Sequence, residues 1–283
     1  MTTPQNVPHG ACDCHFHIYE DGRPLAPTAT FKPPHAPVPA YKEVQRALGL
    51  TRAVVVQPTG YGFDNSCTLD AIAALAPDSR GIAIIEPGTS DQRIEELDAA
   101  GIRGVRYFML AGGVLPWDTL EAMSARIAAR NWNINLQLDG RELPRHKDML
   151  LRLPSRLVID HTGKFLEPVA PDSEAFGALL QLLDSGRCWV KLSAPYETSR
   201  EGPPKYEDVG RLARLLAQRY PERCLWATNW PHPNQNPVPS SQAMLDLLFD
   251  WAPDASARKA ILVDNPAHLY GFSQVTLPSR PPH

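Results

Sequence analysis

Along the chain, short runs of apolar and β-branched residues alternate with longer stretches in which apolar positions recur every three or four residues. The runs read as strands at residues 11–18, 53–57, 81–85, 104–108, 133–137, 156–160, 189–192 and 224–227. Helices are expected at residues 67–76 and 93–100, then around Leu120, Met123 and Ile127, which follow i, i+3, i+7 spacing. After the seventh strand, Tyr206, Val209, Leu212 and Leu216 share one helical face. Residues 241–251 and 255–263 predict closing helices. One stretch breaks the rhythm: residues 22–39 hold Pro24, Pro27, Pro33, Pro34, Pro37 and Pro39, which predicts a long ordered loop without helix or central strand.

Strands alternating with helices imply a parallel sheet, and about eight such units suffice to close it into a (β/α)8 TIM barrel, an α/β fold of one domain. A doubly wound open sheet would carry a Gly-rich phosphate turn after an early strand, and the sequence has none there. The expected organisation is a flexible tail at residues 1–10, a barrel over 11–273, and a disordered, Pro-rich tail over 274–283.

Composition narrows the partners. The chain has 283 residues, 43% hydrophobic and 21% charged, with a formal net charge of -3, so it offers no basic footprint for nucleic acid and no polybasic patch for a membrane. A small molecule is the expected partner. Residues 1–10 lack the basic and apolar regions of a signal peptide, and no apolar run approaches the roughly 18 residues of a spanning helix. Cys12, Cys14, Cys67, Cys188 and Cys224 are odd in number and sit in or beside apolar runs, as reduced thiols of a cytoplasmic protein would, and Cys14 reads as core.

In a barrel, the residues at the C-terminal ends of the strands face the active-site mouth. Here they are His15 and His17, Gln57, Arg106, Gln137, His161 and Lys164, Lys191 and Tyr196, and Asn229 and His232. The set is polar and cationic, which suits an anionic, oxygen-rich substrate. His15 and His17, two apart on a strand, point to one side. His161 is the expected acid/base group, because an imidazole titrates near neutral pH. Arg106 and Lys191 are charges inside apolar runs and need either a substrate carboxylate or an internal ion pair. Lys164 would polarise a carbonyl or bind a second carboxylate, its ordinary alternative being a solvated loop lysine. His232 either joins the site or caps the Pro-rich turn. The aperiodic segment Ser193 to Arg200 offers Tyr196 and Arg200 as lid residues or forms an inert surface loop, and Asp64 and Asn65 either reach the mouth or serve the turn they follow.

The opening Asp13-Cys14-His15-Phe16-His17, the pair Asp160-His161, and Thr228-Asn229-Trp230-Pro231-His232 together resemble the amidohydrolase superfamily. The resemblance is to the branch of 2-pyrone-4,6-dicarboxylate lactonase and D-galactarolactone isomerase. It runs over nearly the whole chain, including Ile102 to Arg106 and Asp160 to Phe165. It implies a distorted (β/α)8 barrel acting on lactone or amide carbonyls, with histidines of strands one, five and six and an aspartate of strand eight holding divalent metal in most members. Two positions depart from that pattern: Gln137 on strand five and Asn229 on strand eight. Without a carboxylate, a metal at His15, His17 and His161 would be weakly held, so no cofactor is expected.

An amide is no base near neutral pH, so Asn229 cannot activate water as the lactonase aspartate does. The resemblance therefore implies a metal-independent isomerase of a sugar-diacid lactone, of the D-galactaro-1,5-lactone to 1,4-lactone type, working by intramolecular acyl transfer. His161, Asn229, His15 and His17 would be catalytic; Arg106, Lys164, Lys191, Gln137, Gln57, Tyr196 and His232 would bind substrate. The alternatives are a lactonase for a dicarboxylate lactone, including an Asp-to-Asn variant of one, and a non-catalytic binder of acidic metabolites.

Overall fold

The structure, a computed structural model, describes residues 7–273. The expected tail at residues 274–283 and the first six residues of the N-terminal tail lie outside this range. Within it, Val7 packs against the core and the Ala11 amide donates to the Pro8 carbonyl at 3.1 Å.

The eight strands are β1 (Cys12–Phe16), β2 (Arg52–Val56), β3 (Ser79–Ala83), β4 (Ile102–Phe108), β5 (Asn133–Gln137), β6 (Arg156–Ile159), β7 (Cys188–Leu192) and β8 (Cys224–Trp226). They form one sheet in sequential order, each pairing with the next in parallel. Most are buried end to end, which is why they read as continuous apolar runs rather than alternating ones. β3 starts two residues before its apolar run because Ser79 is paired inside, its hydroxyl donating to Ile72 O at 2.7 Å.

Barrel closure rests on a few bonds between the first and last strand regions. Asn229 N donates to His15 O at 2.9 Å, and His17 N to Trp230 O at 2.8 Å. Below them the buried Asp13 carboxylate accepts from Thr228 N at 3.0 Å and Thr228 Oγ1 at 2.5 Å, and from Tyr41 Oη at 3.2 Å.

The intervening helices are α1 (Val38–Ala47), α2 (Ser66–Leu75), α3 (Asp91–Ala99), α4 (Leu120–Ala128), α5 (Leu143–Arg152), α6 (Glu174–Asp184) and α7 (Glu207–Arg219). α1 corrects the expectation of an unbroken loop to Pro39. Pro37 is its N-cap and Pro39 lies in its first turn, where the missing amide proton breaks no helical bond. α5 and α6 stand where the periodicity names no helix. The loop before α1 is pinned at its ends by a bridge between Tyr19 and Ala36. α8 (Ser241–Trp251) matches its expected span. The next expected helix instead runs as α9 (Ala255–Lys259), a π turn over Ala260–Asp264, and α10 (Asn265–Tyr270).

Two apolar layers result. The larger fills the space between sheet and helices; the smaller plugs the lower barrel, where Cys12, Cys14, Val54, Ile82, Val158 and Leu225 meet Leu269, Tyr270 and Phe272 from the closing segment. All five cysteines are buried and unpaired, and Cys14 belongs to this plug. A register irregularity between Asp13 and Phe16 then lets His15 and His17 face the upper interior above Cys14. No helix among the described residues is long and apolar enough to cross a membrane.

Candidate active site

A cavity of about 300 Å³ opens at the C-terminal ends of the strands. Its wall includes His17, Arg106, Gln137, His161, Lys164 and Asn229, so six of the expected site residues are brought together. Thr30, Phe31 and Leu110 come from loops, which bring apolar surface and a hydroxyl to the rim.

The floor is a buried polar cluster. Lys191 Nζ lies 3.1 Å from Asp160 Oδ1 and donates to Asn135 Oδ1 at 2.5 Å, while Asn135 Nδ2 donates to Asp160 Oδ2 at 2.8 Å. Lys191 also reaches His15 Nδ1 at 3.1 Å. His15 Nε2 and His17 Nε2 are 3.3 Å apart, and His17 Nδ1 meets Val56 O at 2.8 Å. With neutral rings, Lys191 donates to His15 Nδ1, His15 Nε2–H to His17 Nε2 and His17 Nδ1–H to Val56 O, an arrangement that leaves the 3.3 Å approach of His15 Nδ1 to Asp160 Oδ1 without a proton. Burial, helped by the Lys191 charge, holds His15 well below the usual histidine range; burial and Arg106 bring His17 down to about 3. Burial works against ionising Asp160, but the Lys191 ammonium outweighs it and keeps the carboxyl well below its ordinary range.

Arg106 is different. Its Nη1 donates to Gln57 O at 2.9 Å and its Nη2 to Gln137 Oε1 at 3.1 Å, while Nε has no partner. Among the described residues no carboxylate lies within ion-pair distance of this guanidinium, although it is 4% exposed. A buried cation that no carboxylate pairs is suited to binding an anion.

The turn after β6 holds His161, Thr162, Gly163 and Lys164 successively at positive φ, with values of 52°, 55°, 91° and 50°. Such backbone is costly outside glycine and persists where the surroundings enforce it. It fixes His161, whose Nδ1 meets Ser193 Oγ at 2.9 Å, and it aims Lys164 into the cavity. Burial, together with the charges of Lys164, Lys191 and Arg106, puts His161 well below the usual histidine range. Lys164 is pushed down to about 8, chiefly by burial. It is not a solvated loop lysine: it pairs with Glu197 and is 6% exposed.

Asn229, at φ 58°, donates through Nδ2 to both Tyr196 Oη and Glu197 Oε1, each at 2.9 Å. Tyr196 Oη meets His232 Nδ1 at 2.9 Å, and His232 Nε2 meets Ser241 Oγ at 3.0 Å. Burial brings His232 down to about 4.

Four residues expected to contact substrate stand off the cavity wall. Lys191 is consumed by Asp160 beneath the floor. Gln57 is turned into the fold, its Oε1 accepting from Thr68 Oγ1 at 2.5 Å and its Nε2 donating to Asp64 O at 2.8 Å. Tyr196 and His232 form a buttress behind Asn229. His15, likewise, lies one layer below His17. Arg200 is exposed and pairs with Glu167 outside the mouth. Asn65 serves its turn, bonding Ile84 on both backbone groups, and Asp64 Oδ1 accepts from Ser66 N.

Glu197 is the residue that the strand-end reading passes over. It lies in the 3-10 turn Pro195–Glu197 just beyond β7, and it lines the cavity. The signal available was its place: an acid two residues past Pro195 at a strand end that the barrel rule already directs to the mouth.

A parallel (β/α)8 barrel with a polar cavity at its C-terminal rim defines an enzyme-type scaffold for a small molecule. Residues 12–272 match the family described as amidohydrolase, and the chain belongs to it. It is similar to D-galactarolactone isomerase from Agrobacterium fabrum, 36% identical over 95% of this chain and 93% of that one. It is also similar to 2-pyrone-4,6-dicarboxylate hydrolase from Comamonas testosteroni, at 34% identity over 95% of this chain and 92% of the other. A solved apo structure from Agrobacterium tumefaciens superposes with a TM-score of 0.90 at 35% identity, covering 95% of this chain and 98% of its own.

Proposed function

We propose that this protein is a metal-independent lactone isomerase, acting on a sugar-diacid lactone of the D-galactaro-1,5-lactone type and forming the 1,4-lactone by intramolecular acyl transfer. The observation that carries this reading is Asn229. An amide locked at the end of β8 by Tyr196 and Glu197 cannot deprotonate water from the strand-eight position, while Arg106, His161 and Lys164 line the same cavity. Similarity to a relative named D-galactarolactone isomerase agrees with it.

In this reading the Arg106 guanidinium and the Lys164 ammonium, which line the cavity, receive the substrate's carboxylate and carbonyl. His161 changes its part. An imidazole held so far below the ordinary range is a weak base but a good neutral donor, and it stabilises the oxyanion of the tetrahedral intermediate. Gln137 orients Arg106, and the Tyr196–His232 pair keeps the Asn229 amide facing the cavity. Lys191, Asp160, Asn135, His15 and His17 support the floor.

The donor set argues against a divalent ion. The ligand atoms of His15, Asp160 and His161 lie within 4.8 Å of one another, but Asp160 is already neutralised by Lys191. The Nε2 atoms of His15 and His17 share a proton, and Gln137 and Asn229 supply amides near three cationic side chains. These residues do not fit a dication.

Nuclear magnetic resonance of a sugar-diacid 1,5-lactone with the protein tests the reading. Accumulation of the 1,4-lactone is the expected result, and open diacid as the sole product would sink it in favour of the hydrolase reading.

A further inference from the structure

Moving an acyl group between two hydroxyls of one molecule leaves the proton count unchanged. The attacking hydroxyl loses a proton and the departing ring oxygen gains one. In the 1,5- to 1,4-lactone conversion these oxygens sit on adjacent carbons, within the span of a single carboxylate. One side chain placed there can act first as base and then as acid.

The cavity wall supplies one carboxylate among the described residues, Glu197; the other strongly ionisable groups on it are His17, Arg106, His161 and Lys164. Glu197 is held from two sides, with Oε1 accepting from Asn229 Nδ2 at 2.9 Å and Oε2 paired with Lys164. Its turn is itself fixed: Ala194 enters it at φ 48°, and Asp208 anchors the following residues by accepting from Ser199 Oγ and from Arg200 N. A carboxylate held by donors still has lone pairs for a substrate hydroxyl.

We propose that Glu197 is the proton-transfer residue of the acyl migration. This rests on the isomerase reading above. Glu197 takes the proton of the C4 hydroxyl as the bond from that oxygen to C1 forms. It returns the same proton to the C5 oxygen as the bond from C1 to that oxygen breaks, so the carboxylate ends as it began. Lys164, drawn to the lactone carbonyl when substrate binds, releases Glu197 from its resting ion pair at the moment a base is needed. Asn229 is matched to this arrangement: an aspartate there would face Glu197 with a second negative charge instead of an N–H.

The test follows product formation from the 1,5-lactone by nuclear magnetic resonance for the wild-type protein, Glu197→Gln and Glu197→Ala, the last with and without added formate. The expected result is 1,4-lactone from the wild type, a fall in kcat of roughly 10²–10⁴-fold in both variants with KM changed far less, and recovery of Glu197→Ala by formate. Circular dichroism on the near-isosteric Glu197→Gln checks that the fold persists. A Glu197→Gln enzyme within a few fold of wild-type kcat overturns the proton role while leaving the isomerase reading intact. A loss confined to KM, without formate recovery, also overturns it by making Glu197 a binding residue. Open diacid as the only wild-type product overturns both readings together.

Discussion

Asn229 Nδ2 donates to Glu197 Oε1 across 2.9 Å, joining the residue after β8 to the turn after β7. Asn229→Asp converts this attraction into a contact between two carboxylates, one of which must hold a proton or move away. The expected outcome at neutral pH is a loss of isomerisation of roughly tenfold or more, with part of the rate recovered as the pH is lowered and the pair takes up a proton. The restored strand-eight carboxylate should also raise the share of open diacid. Product ratios measured against pH check both points. A variant with wild-type rate and product would contradict the pairing.

Arg106 binds nothing charged among the described residues, so its function should show in substrate affinity. Replacing it as Arg106→Gln removes the charge but keeps a donor for the Gln57 carbonyl. Losing one charge-assisted bond of about 2 kcal/mol predicts roughly a 30-fold rise in KM for a carboxylate-bearing lactone. The methyl ester of the same lactone should show a much smaller difference between the two proteins. Equal penalties for acid and ester would mean that Arg106 does not read the carboxylate.

Much of this was legible in the order of residues, for physical reasons that can be named. Strands buried on both faces leave unbroken runs such as Ala53 to Val56, and the barrel rule then places His17, Arg106, His161 and Asn229 at one mouth. Two helices were legible and yet absent from the expected set: in α6 Ala175, Ala178, Leu179 and Leu182 follow i, i+3, i+4, i+7 spacing, and in α5 Leu143 and Leu150 lie two turns apart among charged neighbours. Partner choice was not legible at all. Nothing local tells Lys191 that Asp160 lies beside it, or Gln57 that Thr68 will claim its oxygen, because those pairings are set only when distant strands meet. Glu197 escaped for the same reason, its meaning residing in Lys164 and Asn229.

Activity should be independent of divalent metal. Dialysis against a strong chelator is expected to leave kcat and KM unchanged, and elemental analysis of the purified protein should find far less than one equivalent of zinc or manganese per chain. The prediction follows from Lys191 and Arg106 lying where a dication would need negative neighbours. Loss of activity on chelation, restored by one added metal, would overturn it.

The Lys191–Asp160 pair should matter to stability more than to substrate affinity. Both side chains are fully buried, and Asp160 stays ionised because the Lys191 ammonium faces it. Lys191→Met leaves that carboxylate without its cation, which should cost about 3–5 kcal/mol in urea unfolding. The sign of the pH effect follows from the depressed carboxyl. The stabilisation that Lys191 confers on ionised Asp160 is fully present above the ordinary aspartate range and fades as the pH falls through the lower folded value, so the penalty of Lys191→Met should shrink in acid. Adding Asp160→Asn to Lys191→Met removes the stranded charge, and the double variant should be more stable than Lys191→Met alone. Equal or greater damage in the double variant would show that the two residues do not act as a pair.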